Sequence, residues 1–245
     1  MPPLSAPLAA LLLVVLQALT GCGAGGGAGG GEAVVGSSPA SSGASSSGRS
    51  SSPEPLPTAT VDPSATPEVP HTDGRPRRAV LSIPRLGMTD LPVEPYRGWT
   101  DDAPGTEIQD GGVAASPFGP RGGTGPGGIG NYQVTAHRLS STQAFLELPR
   151  LRAGDLVHVD VGSRRLTYEV TRTRITSFRE PASLRAQRAA VPGRPGVEAT
   201  RAMITLSTCR TPEDRAEGNT WSDRFGNPEH RIDKIGVLRS IERRP

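Results

Sequence analysis

Met203-Ile204-Thr205-Leu206-Ser207-Thr208-Cys209 is the stretch on which the reading of this chain turns. Apolar and polar residues alternate along it, and successive side chains of a strand point to opposite faces. Ile204, Leu206 and Thr208 therefore share one face, and Met203, Thr205, Ser207 and Cys209 the other. Ile204 and Leu206 mark the core face. Cys209 then points away from that core, at a strand end, where a polar segment begins with Arg210. A thiol in that position is usable chemically, whereas one packed mid-strand is inert.

Working outward, the other apolar runs are also short and β-like. Residues 79–83 form a strand stopped by Pro84. Residues 132–137 and 156–161 alternate, and 165–173 alternate through Leu166, Tyr168 and Val170. Residues 201–209 and 231–240 complete the set. Six or more short strands separated by Gly/Pro turns predict an all-β fold, a sandwich or a barrel, over about residues 76–245. Two short helices are expected, at 141–148, where Pro149 would end the first, and at 181–190. With only four Phe, three Tyr and two Trp in the chain, the core must consist mainly of Val, Leu and Ile.

The N-terminal third has another character. The chain has 31 Gly and 25 Pro among 245 residues, close to the level of low-complexity sequence, and they are denser here than in the rest of the chain. No Gly-x-y period runs through them, which excludes collagen. Residues 4–19 are almost continuously apolar, shorter than the roughly 20 needed to span a bilayer. They end in Leu19-Thr20-Gly21-Cys22, the arrangement of a lipoprotein signal in which Cys22 takes the lipid. The segment before the run, residues 1–5, holds no Lys or Arg, and the alternative is a short uncleaved anchor. Residues 1–22 are read as this signal. Residues 23–75 are read as a disordered Gly/Ser/Pro-rich linker, which cannot bury enough apolar surface to offset its chain entropy. Either version places the domain outside the cytoplasm, on the outer face of the membrane. With one long apolar run, a polytopic membrane protein is excluded. A net charge of +3 without a Lys/Arg block does not suggest nucleic acid.

Cys22 and Cys209 are the two cysteines. If Cys22 carries lipid, Cys209 is a lone thiol in an oxidising compartment, which points to intermolecular pairing or reactivity; the alternative is a buried, inert cysteine. His137 ends a strand too, after Gln133 and Thr135 on its own face, and a cysteine nucleophile needs a nearby His to manage protons. His71 falls in the linker, His158 lies mid-strand, and His230 neighbours Arg231. Arg231 opens the last strand, and its permanently charged planar fork suits an oxyanion. Gly123-Thr124-Gly125-Pro126-Gly127-Gly128 matches G-x-G-x-x-G, but it contains a proline and precedes a strand, so it reads as a loop and not as a dinucleotide fingerprint. No Cys/His cluster has metal-ligand spacing, and no metal or cofactor is expected.

The segments Ile83-Pro84-Arg85-Leu86-Gly87, Asn131-Tyr132-Gln133-Val134-Thr135-Ala136-His137-Arg138, Thr205-Leu206-Ser207-Thr208-Cys209 and His230-Arg231 together resemble a sortase, most closely the actinobacterial class E and F members. The resemblance covers nearly all of residues 76–245, and Thr-Leu-x-Thr-Cys is its most specific part. It implies the sortase β-barrel with one or two short helices, Cys209 as nucleophile, His137 as acid/base and Arg231 as oxyanion or substrate clamp. It further implies cleavage of a Leu-x-x-Thr-Gly-type signal on secreted proteins and transfer to a peptidoglycan-precursor or pilin amine. Thr208, Trp221 and Phe225 are expected to contact the substrate, the last two from the long loop between Cys209 and Arg231. That loop, and a lipid anchor in place of a spanning helix, depart from the common pattern. Two rivals stand beside this reading. An L,D-transpeptidase would show His-Gly-Cys at the nucleophile, where this chain has Ser207-Thr208-Cys209. A non-catalytic envelope lipoprotein with a ligand-binding β domain would tolerate a blocked Cys209.

Overall fold

Residues Ala202–Cys209 form a strand, β7 in chain order, and the alternation decides what it packs against. It pairs in parallel with β4 (Gly130–Thr135), setting Tyr132 beside Ile204 and Val134 beside Leu206. These four side chains are buried in one apolar core with Leu81, Val157, Val159, Leu166 and Tyr168. The computed structural model describes residues 68–224 and 226–244. Within them, β1 (Ala79–Ile83), β2 (Met88–Arg97), β3 (Ala114–Phe118), β5 (Leu156–Val161), β6 (Arg164–Ser177) and β8 (His230–Arg243) complete the set. The eight strands close into a barrel in the order β1-β2-β3-β4-β7-β8-β6-β5. Three short helices lie between strands: α1 (Ala103–Asp110), α2 (Pro181–Arg188) and α3 (Thr211–Ala216).

The polar face of β4 and β7 does not meet solvent. Thr205 and Ser207 are each 2% exposed, because α2 and its following turn cover them. Buried polar groups must be paired, and these pair with one another. Thr205 donates to Asn131 at 2.8 Å, and Asn131 donates to the carbonyl of Gln187 at 3.0 Å. Ser207, Thr176 and Gln187 all donate to the Asp233 carboxylate, at 2.7, 2.5 and 2.9 Å. Lys234, the single lysine of the chain, is buried on β8. Its Nζ donates to the carbonyls of Pro149 and Leu151 and to Thr173, fastening the segment that plugs the barrel with Phe145, Leu148 and Leu151.

The helix expected at 141–148 is not formed. That segment runs through turns into a one-turn 3-10 helix at Leu148–Arg150, with Phe145 and Leu148 fully buried. The helix at 181–190 is present as α2 and ends at Arg188. Strands β2 and β3 lie outside the expected set, since Pro92 and Pro95 interrupt β2 and each removes a ladder donor. Helix α1 was unexpected too. It carries ordinary start signals, Asp102 accepting from the Gly105 amide at 3.0 Å and Pro104 in the first turn. Gly105 is needed there, for a Cβ would fall 2.2 Å from the Tyr96 hydroxyl.

The loop at 123–128 leads into β4 and bonds to residues that the sequence reading assigned to the linker. The Thr72 amide donates to the Gly127 carbonyl at 2.8 Å, and the Gly125 amide to the Gly74 carbonyl at 2.8 Å. The signal segment with Cys22, the linker up to residue 67, and Phe225 lie outside the described residues. Among the described residues, no helix is long and apolar enough to cross a membrane.

Candidate active site

Cys209 and Arg231 are direct partners across the antiparallel β7–β8 ladder. Opposed residues of such a pair hold their Cβ atoms about 4.5–5.5 Å apart, so the thiol and the guanidinium stem leave the sheet side by side. On the other flank of β7, Thr135 is in register with Ser207, and the Ala136 amide still reaches the Ser207 carbonyl at 3.4 Å. Two residues further along each strand come His137 and Cys209. Strand β7 therefore carries the thiol between an imidazole-bearing neighbour and a guanidinium-bearing one. Thr208 faces the other way, 2% exposed, with its hydroxyl donating to the Ala136 carbonyl at 2.8 Å. It ties the chain before His137 to the chain before Cys209.

The Arg231 guanidinium is 1% exposed. Nε donates to Asp101 Oδ2 at 3.3 Å, Nη1 donates to the Pro228 carbonyl at 3.0 Å, and the fork lies 4.1 Å above the Phe178 ring. Nη2 makes no hydrogen bond. A buried charge is tolerated when it is paired and its donors are mostly used, as here. Asp101 holds φ at +60°, a left-handed conformation that Asp adopts more readily than most residues. Its loop is pinned on both sides: Thr100 donates to Gln133 at 2.5 Å, and Arg188 donates to the Thr100 carbonyl at 3.2 Å.

Burial pushes the Cys209 thiol pKa up. Arg231 opposes that push, Asp101 adds to it, and Arg138 and Asp223 act more weakly, down and up respectively. The thiol is partly exposed and unpaired with any other cysteine. Arg138 Nη1 donates to the Cys209 carbonyl at 3.2 Å and grips Glu213 of α3 through two hydrogen bonds. His137 Nε2 lies 2.8 Å from Asp110 Oδ1, at the end of α1. Asp110 and Asp101 are site residues that sequence reasoning missed. Nothing local marks either, since their partners lie 27 and 130 positions away.

The other histidines, and the polar and aromatic residues after Cys209, have partners of their own. His230, on the face opposite Arg231, pairs with Asp214 at 3.0 Å. Arg210 is held by Asp214 and Glu217. His158 contacts Thr167 between β5 and β6, and His71 contacts the Val69 carbonyl. Trp221 is partly exposed, with Arg179 5.6 Å from its ring. Among the described residues, no three His, Cys, Asp or Glu side chains are grouped to hold a metal ion.

A closed eight-stranded barrel with thiol, imidazole and guanidinium at the ends of three adjacent strands defines a cysteine enzyme of the acyl-transfer type. Comparison with known proteins makes the assignment specific. The sortase-domain family model matches residues 81–225, more than half of the chain. The chain belongs to the sortase family and is a cysteine transpeptidase, one of a class of extracytoplasmic enzymes. Among solved structures it is similar to the SrtA sortase from Actinomyces oris, with 20% identity and a TM-score of 0.53, covering 74% of this chain and 89% of that one. It is also similar to sortase E1 from Streptomyces coelicolor, determined with a tripeptide in the active site, with 18% identity and a TM-score of 0.51, covering 71% and 93%. At these identities the likeness establishes the barrel fold. No curated protein matches the chain.

Proposed function

We propose that this transpeptidase cleaves a Leu-x-x-Thr-Gly-type sorting signal and transfers the new carboxyl terminus to an amine of a peptidoglycan precursor or a pilin. Cys209 Sγ, as thiolate, attacks the threonine carbonyl. Arg231 stabilises the charge that develops on the carbonyl oxygen. His137 gives its proton to the glycine nitrogen as the C–N bond breaks, leaving a thioester. The acceptor amine then attacks the thioester, loses its proton to His137 and releases the Cys209 thiolate. The segment that follows α3, with Trp221, lines the groove. Cys22 carries the lipid that holds the enzyme on the outer face of the membrane.

The observation that supports this reading most directly is the cross-strand pairing of Cys209 with Arg231, with His137 two residues beyond the last register pair of the opposite flank, Thr135 with Ser207. The test is turnover of a Leu-x-x-Thr-Gly peptide with an amine acceptor, together with intact-mass detection of the acyl-enzyme. Cys209→Ala is expected to abolish both. Arg231→Ala is expected to lower kcat by on the order of 10²–10³, the cost of losing one oxyanion donor. Unchanged turnover in Cys209→Ala would overturn the mechanism.

A further inference from the structure

A cavity of about 390 Å³ opens between the β3–β4 connection and α2. Arg121, Arg185 and Arg188 line it, with Pro120, Pro181 and Leu184 as its apolar flank. Arg185 and Arg188 are three apart on α2 and so lie on the same helix face. Arg121 stacks its guanidinium 3.7 Å over the Trp99 ring, which fixes its place. Arg188 uses one nitrogen on the Thr100 carbonyl, while its Nε is buried without a hydrogen bond.

Some arginines of this chain meet carboxylates, as Arg78 does Glu94, Arg165 Asp160 and Arg138 Glu213. Among the described residues Arg121, Arg185 and Arg188 do not. The two carboxylates that act on Arg188 through space are otherwise engaged. Asp101 holds Arg231, and Asp102 accepts from the backbone amides of Trp99 and Gly105. Three like charges gathered around one cavity repel one another unless an anion from outside joins them. Guanidinium forks match the oxygens of carboxylates and phosphates. The place of the cavity says whose anion it is. Arg188 holds Thr100, the next residue Asp101 holds Arg231, and Arg231 stands opposite Cys209.

We propose that Arg121, Arg185 and Arg188 form a subsite for a carboxylate or phosphate carried by one of the two reactants, with Pro120, Pro181 and Leu184 receiving the apolar part next to it. The reactant part of this claim rests on the transpeptidase reading; the binding part does not, and calorimetry tests it without turnover. Inorganic pyrophosphate and a Glu-containing sorting peptide are titrated into the full chain at low salt. At least one is expected to bind saturably, and Arg121→Gln/Arg185→Gln is expected to weaken that binding at least tenfold. Both residues are exposed and neither side chain is hydrogen-bonded to the fold, so the double variant keeps its structure, which its thermal melt verifies. Arg188→Lys, which keeps the charge but loses the fork, is expected to recover only part of the affinity. Absence of saturable binding to wild type, or equal binding by the double variant, overturns the proposal.

Kinetics then separate the two sources of the anion. A raised KM for a peptide with Glu before the signal, but not for its Gln counterpart, assigns the anion to the sorting peptide. A raised KM for an acceptor amine carrying a carboxylate, but not for its amide, assigns it to the acceptor. If both constants stay at wild-type values in the double variant, the cavity does not serve the reaction and the proposal falls.

Discussion

Opposed charges surround the Cys209 thiol, and their signs fix what substitutions do to it. Burial and Asp101 favour the neutral thiol, while Arg231 and Arg138 favour the thiolate. Arg231→Ala removes the cation with the larger effect on the thiol and also frees the Asp101 carboxylate, so both changes push the thiol pKa up. Asp101→Asn removes an anion and keeps a residue that tolerates φ near +60°, so it moves the pKa down. The pH dependence of iodoacetamide alkylation, followed at the Cys209 peptide by mass spectrometry, reads both. The alkylation midpoint is expected at higher pH than wild type in the first variant and at lower pH in the second. Shifts of the opposite sign would mean that Arg231 and Asp101 do not act on the thiol through charge. The side chain that holds Arg231 in its buried place is thus also one that disfavours the Cys209 thiolate.

At the scale of elements, α2 is joined to the barrel by a buried carboxylate. Burial pushes the Asp233 pKa up, and the donors Thr176, Ser207 and Gln187 pull it back. Asp233→Ala leaves those three buried donors without their acceptor. An orphaned buried polar group costs about 1–3 kcal/mol, so a net loss of about 3 kcal/mol is expected. For a domain of this size that lowers Tm by about 6–12 °C, measurable by differential scanning calorimetry. An unchanged Tm would show that the network is solvated and that α2 is held by other contacts. This network also marks where the sequence stops being legible. Alternation in β7 announces a strand and its apolar side, but it assigns the polar side to water. That assignment fails because Gln187 arrives from α2 to meet Ser207 and Asp233. Strand β2 was illegible because Pro92 and Pro95 lack the donor that strand patterns assume. The expected helix at 141–148 failed because Phe145 and Leu148 are both drawn into the barrel, where turns deliver them. The placing of Cys209, His137 and Arg231 at or just past the ends of adjacent strands was legible because each of those strands alternates clearly. Asp101 and Asp110 were not, since folding alone brings them near.

Across the whole molecule, the β6–β8 ladder runs from Arg164 opposite Arg243 at one end to Ser177 opposite His230 at the other. The thiol lies at the second end. Thr72 and Arg77, where the described chain begins, line a cavity with Val161 and Arg164 at the first. The segment leading to Cys22 thus joins the barrel at the end away from the thiol, on the order of 40 Å along a 14-residue strand. Metabolic labelling with a fatty acid is expected to mark the wild type and not Cys22→Ala; an unlabelled wild type would end the lipoprotein reading. The closure of the barrel has a consequence for selectivity. Many proteins capture extended peptides by adding them as a further strand, so that main-chain bonds supply the affinity whatever the sequence. In this sheet each strand already has a neighbour on both sides, and that generic grip is not on offer. Discrimination then falls to the connecting segments that overhang the strand ends, whose replacement would leave the ladders beneath intact. Preference for one signal over another is then a transplantable trait, carried in the loops and indifferent to the barrel that bears them.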